Sequence, residues 1–209
     1  MVERRHEPAV DVAADAAIDR ALVNRARAGD RMAFDELVER HGRAVLGYLR
    51  RLAPRQGDAE DLFQETFLRA WRAIASSTDP QRLRAWLLTI ATNVARRGLA
   101  RANAGAFEGL DSGSPHEPAA DDATALERIA TGERASAVRD AIERLPARQR
   151  AVVALRIDLD LPFVEIARVL GIREDNARAH HYQAMKALER MLRPILSPES
   201  VPESVEERR

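Results

Sequence analysis

The chain has 209 residues with 33 basic and 33 acidic side chains, no cysteine, and only 4% aromatic residues. That length holds one large or two small domains, and the Ala-, Leu- and Arg-rich composition favours an all-α protein over a sheet protein. Without cysteine there is no disulfide framework and no thiolate metal site. Zero net charge argues against a free-standing DNA binder, because neutralising phosphates is what gives such a protein its affinity. A DNA-binding role therefore calls for a partner. No run approaches the ~18 apolar residues of a membrane span, and the stretch from Met1 to Ile18 has four acids and no apolar signal core. No membrane insertion is expected, and the cytoplasm is the expected compartment.

Residues 1–17 read as a disordered tail. Helical periodicity starts near Ile18 and runs to Gly29-Asp30. Asp30 can cap the next helix, in which Phe34, Leu37, Val38, His41, Val45 and Leu49 share a face. Pro54 to Gly57 is expected to break it, with Asp58 capping a third helix that turns Leu62, Phe63, Phe67, Ala70 and Trp71 inward. Ser76 to Gln81 reads as a polar loop. A fourth helix is predicted from about Gln81 to Ala102, with Leu83, Trp86, Leu87, Ile90 and Val94 inward.

Charge is segregated beyond that point. Pro80 to Phe107 carries five arginines and no acid, whereas Glu108 to Glu127 carries six acids and no Lys or Arg. Residues 103–127, rich in Gly, Ser, Pro, Ala and Asp, read as an acidic flexible linker. Helices resume near Leu126, and Pro146 is expected to open a new helix as its first residue. Pro194 is expected to end the last helix, leaving 194–209 as a polar tail. The two domains are thus placed at residues 18–102 and 128–193.

The second of these carries a helix-turn-helix pattern. Val164 to Leu170 forms a short helix, Gly171 stands where the turn needs positive φ, and a long helix follows. Ala167 is small where the two helices meet. On the long helix Ala177, His181, Ala184, Leu188 and either Met191 or Leu192 form an inward stripe, and Asn176, Arg178, Ala179, His180, Tyr182, Gln183 and Lys186 face outward. Arg and Gln read guanine and adenine bidentately in a major groove. His180 and His181 are adjacent, about 100° apart on a helix, and make a poor metal pair.

The first domain carries a denser signature. It comprises Asp58-Ala59-Glu60-Asp61-Leu62-Phe63-Gln64-Glu65-Thr66-Phe67, then Trp71, then Trp86-Leu87-Leu88-Thr89-Ile90-Ala91-Thr92-Asn93. With the helix-turn-helix following in order, the chain resembles an RNA polymerase sigma factor of the extracytoplasmic-function type. The resemblance implies two helical domains, sigma-2 over about residues 20–102 and sigma-4 over about 128–193, joined by a linker. It implies core RNA polymerase and promoter DNA as partners, and adds an anti-sigma protein as a candidate third.

The resemblance also implies roles for particular residues. The cluster Glu60, Asp61, Gln64 and Glu65, with Leu62, would dock on the clamp helices of the largest polymerase subunit. The other readings of that cluster are a solvated helix face and a carboxylate metal site, though no His stands three residues from any of these Glu. Leu62, Phe63 and Phe67 serve either the core or the rim of that interface. Ser76, Ser77, Ile90 and Asn93 would lie beside the pocket for an unstacked minus-ten base, with Arg84, Arg96, Arg97 and Arg101 on phosphates. Ser77 departs from the pattern, since an aromatic is often found there. Arg178, Tyr182 and Gln183 would meet minus-thirty-five bases, with Arg173, Asn176, Ala179, His180 and Lys186 beside them. The helix is less basic than is usual for the family. The linker is either a solvated tether or a mimic of transcript charge in the RNA exit path.

The expected function is therefore promoter recognition and initiation by a dissociable polymerase subunit. No nucleophile–base pair, phosphate loop or metal-ligand set is present, so no catalysis, cofactor or metal is expected. The alternatives are a stand-alone helix-turn-helix regulator with a helical sensor domain, and a metalloenzyme built on the Glu60–Glu65 carboxylates.

Overall fold

The structure, a computed structural model, describes residues 12–53, 56–77, 82–102 and 133–196. The expected linker at 103–127 and most of both tails lie outside the described residues. Among the described residues the fold is all-α. The first module comprises α1 (Val12–Arg27), α2 (Arg31–Leu52), α3 (Gln56–Ser77) and α4 (Leu83–Ala102). The second comprises α5 (Glu133–Glu143), α6 (Ala147–Val153), α7 (Phe163–Leu170) and α8 (Glu174–Leu196), with a π-helical turn at Ala154–Asp158 continuing α6.

Helix α1 begins at Val12, ahead of the expected start near Ile18. Its acids tie it to α2: Arg40 reaches Asp15 at 3.0 Å and Asp19 at 3.1 Å, and His41 lies 3.0 Å from Asp19. Asp30 caps α2 as expected, accepting from the Ala33 amide at 3.2 Å. The chain does break between α2, which ends at Leu52, and α3, but α3 restarts at Gln56, so Gly57 lies inside it and Asp58 falls in its first turn, where its charge suits the helix dipole, rather than capping it.

The first module closes around α2, α3 and α4. Phe34 sits edge-on to both Phe67 and Trp71, at 6.3 and 5.0 Å between ring centroids. Helices α3 and α4 approach closely at Gly98: a Cβ there would lie 2.9 Å from Leu62 Cδ2. Tyr48 of α2, 2% exposed, bonds Thr92 of α4 at 2.9 Å and fixes the two helices in register.

In the second module Val138, Ile142, Leu145, Val153, Ala184 and Leu188 join α5, α6 and α8. Pro146 stands just before α6 rather than in it, its carbonyl accepting from the Arg150 amide at 2.9 Å. The turn between α7 and α8 is built as expected. Gly171 has φ 66 and ψ 37, and the amides of Gly171 and Ile172 bond back to the carbonyls of Arg168 and Ala167. That double closure needs a left-handed residue, which glycine adopts without a Cβ penalty. Pro194 does not end α8, which runs to Leu196. In the last turn a proline removes a hydrogen bond that fraying already weakens.

The modules also touch. Helix α4 packs on α7, and α2 on α6 and the π turn. Buried side chains of α1 to α4 merge with Val152, Leu155, Leu161, Ile166, Val169 and Ala177 in one apolar cluster. Arg51 of α2 lies 4.0 Å from Asp158 across this seam. A signal for the seam exists in α7, FVEIARVL, whose apolar residues exceed one helical stripe. A helix apolar on more than one side is covered on more than one side.

Candidate core-binding and promoter-binding surfaces

Three surfaces gather the residues singled out by sequence. The first is the outer face of α3. Glu60, Asp61 and Gln64 are exposed there, and Glu65 is partly exposed with Arg69 at 2.6 Å, one helical turn on. Leu62 is not on this face: it is 8% exposed and points toward Gly98 of α4. Phe67 is likewise buried at 6%, and Phe63 is half-buried against it at 4.8 Å. The ambiguity left by sequence is thereby resolved for Leu62 and Phe67, which serve the core. Leu68, 51% exposed, is an apolar residue on α3 that sequence reasoning passed over. It stands seven residues after Asp61, two turns along the same face. Among the described residues no group of His, Asp or Glu could hold a metal ion.

The second surface lies along α4. Ile90 and Asn93 are half-buried, and Arg96 and Arg97 are exposed. Asn93 accepts from Arg96 at 3.1 Å, which leaves its amide NH₂ free of that contact and orients the group. Ser76 and Ser77 close α3; their side chains, and that of Arg101, lie outside the described set, as do residues 78–81. Arg84 separates from this group. It stands nine residues before Asn93, about 180° around the helix. There it is crowded by its surroundings, which holds its guanidinium below the ordinary arginine value, while Asp160 and Glu165 of the second module pull it back up. Arg84 thus lies within electrostatic reach of the other module's acids while staying exposed, a placement that depends on packing between distant segments.

The third surface is α8. Ala177 and Ala184 are fully buried and Leu188 nearly so, with His181, Met191 and Leu192 half-buried beside them. The expected stripe is therefore the one that packs. Above it Arg173, Asn176, Arg178, Ala179, Tyr182, Gln183 and Lys186 are exposed, Tyr182 at 67%, while His180 is half-buried. Gln183 accepts from Gln149 of α6 at 3.5 Å.

Two contacts on α8 were not read from sequence. Arg178 bonds Glu174 at 2.6 Å, and its guanidinium carbon lies 4.9 Å from the Phe163 ring centroid. Arg156 lies 5.2 Å from the same ring, and His181 meets it edge-on at 5.4 Å. Burial, reinforced by Arg156, pushes the His181 imidazole below its ordinary value. The sequence signals are modest: an aromatic opening α7 and a Glu four residues before an Arg.

Comparison with known proteins fits this geometry. The Sigma-70 region 2 family matches residues 37–104, and the Sigma-70, region 4 family matches residues 135–188. The chain is 34% identical over 190 residues to the ECF RNA polymerase sigma factor BldN of Streptomyces coelicolor, covering 88% of this chain and 69% of that one. It is 30% identical over 187 residues to the RNA polymerase sigma-H factor of Pseudomonas aeruginosa, covering 85% and 95%. Among solved structures, CnrH in complex with the cytosolic domain of CnrY superposes with a TM-score of 0.59 at 28% identity, over 84% of this chain and 97% of that one. The sigma factor RpoE of Bartonella quintana, solved with the anti-sigma factor NepR, shares the fold with a TM-score of 0.63 at 20% identity, over 77% and 96%. With both regions matched in order and relatives aligned along most of its length, the chain belongs to the sigma-70 family, as a transcription-initiation sigma factor of the extracytoplasmic-function type.

Proposed function

We propose that the chain docks on core RNA polymerase through the acidic face of α3, with Glu60, Asp61, Gln64 and Glu65 as its polar contacts and Leu68 as an apolar one. Ile90 and Asn93 of α4 hold an unstacked minus-ten base, and Arg96 and Arg97 grip the neighbouring phosphates. Helix α8 enters the major groove at minus thirty-five, where Arg178, Tyr182 and Gln183 read bases and Arg173 and Lys186 contact backbone. The observation that carries this reading is the pairing of an exposed polar face on α8 with a fully buried stripe beneath it, on a module separate from the acidic face of α3. The polymerase performs the chemistry and the chain itself is not an enzyme. It acts in the cytoplasm, where core polymerase works, and an anti-sigma protein binds it, as NepR binds RpoE of Bartonella quintana.

Zero net charge then follows from the division of labour, since the holoenzyme supplies the affinity for DNA. The seam between the modules has a consequence as well. Elements at minus thirty-five and minus ten lie roughly 85 Å apart at ~3.4 Å per base pair. A compact chain of this length is only about 40 Å across. The modules therefore part when both elements are bound. The absence of cysteine makes this easy to follow. Glu36→Cys on α2 and Arg190→Cys on α8 place fluorescent labels on exposed helix faces of the two modules. Energy transfer between them should be high in the free chain and fall when core polymerase and promoter are added. Unchanged transfer in the active complex would refute the reading.

A further inference from the structure

We infer that Phe163 and Glu174 are positioning residues that hold the Arg178 guanidinium ready to read a guanine, and so set the sequence preference of α8. This deepens the proposed reading of α8 and rests on it. An arginine that reads guanine presents two N–H groups, in a fixed fork, to O6 and N7. A free arginine side chain occupies many rotamers and loses that freedom on binding, which blunts discrimination. Arg178 has already lost most of it. Its guanidinium carbon lies 4.9 Å from the Phe163 ring centroid, within reach of a cation–π contact. Its Nη2 donates to Glu174 Oε1 at 2.6 Å. That bond uses one of the two Nη2 hydrogens, and the other still pairs with the N–H beside it, Nε–H or Nη1–H, so one complete fork is left for a base. The side chain is nonetheless 58% exposed, so the fork is held without being hidden.

The ring is itself held. His181 meets it edge-on at 5.4 Å, and Arg156 lies 5.2 Å from its centroid while donating to the Leu161 carbonyl at 3.1 Å. Phe163 opens α7 and is half-buried, so its orientation is set by the turn before it and the helix above it. Glu174 has a second reason to be paired. A carboxylate in the first turn of a DNA-reading helix suits the helix dipole but repels phosphate. Arg178 occupies that charge and makes the acid tolerable at the groove.

The test uses holoenzyme reconstituted from core polymerase and the full chain, with a promoter library randomised at the minus-thirty-five element. Arg178→Ala should lose about 5- to 150-fold discrimination at one G·C pair. Phe163→Leu, which keeps an apolar residue in the seam, should lose about two- to five-fold at that same pair. Phe163→Tyr should restore it. Glu174→Gln, at a partly exposed position in the first turn of α8, should reproduce the partial loss without disturbing the fold. Core affinity should not change in any of them. If Arg178→Ala loses discrimination while Phe163→Leu and Glu174→Gln keep it, or lose it evenly at every position, the positioning role is wrong and the reading of α8 stands. If Arg178→Ala changes nothing, both fall.

Discussion

Tyr48 and Thr92 join α2 to the helix that carries Ile90 and Asn93, and their bond has a direction. Thr92 Oγ1 lies 2.8 Å from the Leu88 carbonyl, which accepts only, so the hydroxyl proton goes there. Tyr48 therefore donates to Thr92 across 2.9 Å. Tyr48→Phe removes one donor and leaves Thr92 bonded to Leu88; it should cost about 1 kcal/mol. Thr92→Val keeps the shape but strands a buried phenol without an acceptor, which should cost about 1–3 kcal/mol. The double variant should be no less stable than Thr92→Val alone, because the stranded hydroxyl is gone. Urea midpoints at constant m-value measure all three. The phenol adds a pH signature. Burial pushes the Tyr48 pKa well above its ordinary 10.0. The unfolded chain then gives up this proton first, so the wild type loses stability as pH rises above 10, and Tyr48→Phe lacks that part of the loss. Equal costs for Thr92→Val and Tyr48→Phe, or parallel alkaline curves, would refute this assignment.

Reversing charge at Asp61 and Glu65 to Lys should weaken core-polymerase binding in a pull-down titration; helicity should hold, with about 0.5 kcal/mol of stability lost with the Glu65–Arg69 pair. Gly171→Ala should destabilise by about 1 kcal/mol in a denaturation curve, since the position needs φ 66 although nothing crowds a Cβ there. Asn93→Ala should leave closed complexes intact but reduce permanganate reactivity of the melted strand, whereas Gln183→Ala should weaken closed complexes through about 1–3 kcal/mol at one or two base pairs. Indistinguishable behaviour of those two variants would overturn the division of labour between the modules.

The parts of the fold legible in sequence are those set by local chemistry. Asp30 could be assigned as a cap because an aspartate before a helical stripe has an amide to accept from, and Gly171 because the turn needs a left-handed residue. The stripe of Ala177, Ala184 and Leu188 follows from helical period alone. What escaped depends on residues far apart in the chain. Leu62 looked like part of an interface until Gly98 was found beneath it. Arg84, expected on phosphates with Arg96 and Arg97, lies about 180° around the helix from Asn93 and within electrostatic reach of Asp160 and Glu165 of the other module. The π turn at Ala154–Asp158 leaves no compositional mark, because it changes hydrogen-bond register and not residue type. Phe163 went unmarked in the sequence, and only the return of α8 shows what lies against its ring.

Added to core polymerase, this chain should confer promoter choice through two separate elements. The direct test is run-off transcription by core polymerase with the purified chain, on promoters selected from a random library by that same holoenzyme. Transcripts should require the chain and be lost when either selected element is scrambled. DNA binding by the chain alone should be weak and steeply salt-dependent. Tight sequence-specific binding by the isolated chain, with no transcription upon adding core polymerase, would contradict this role.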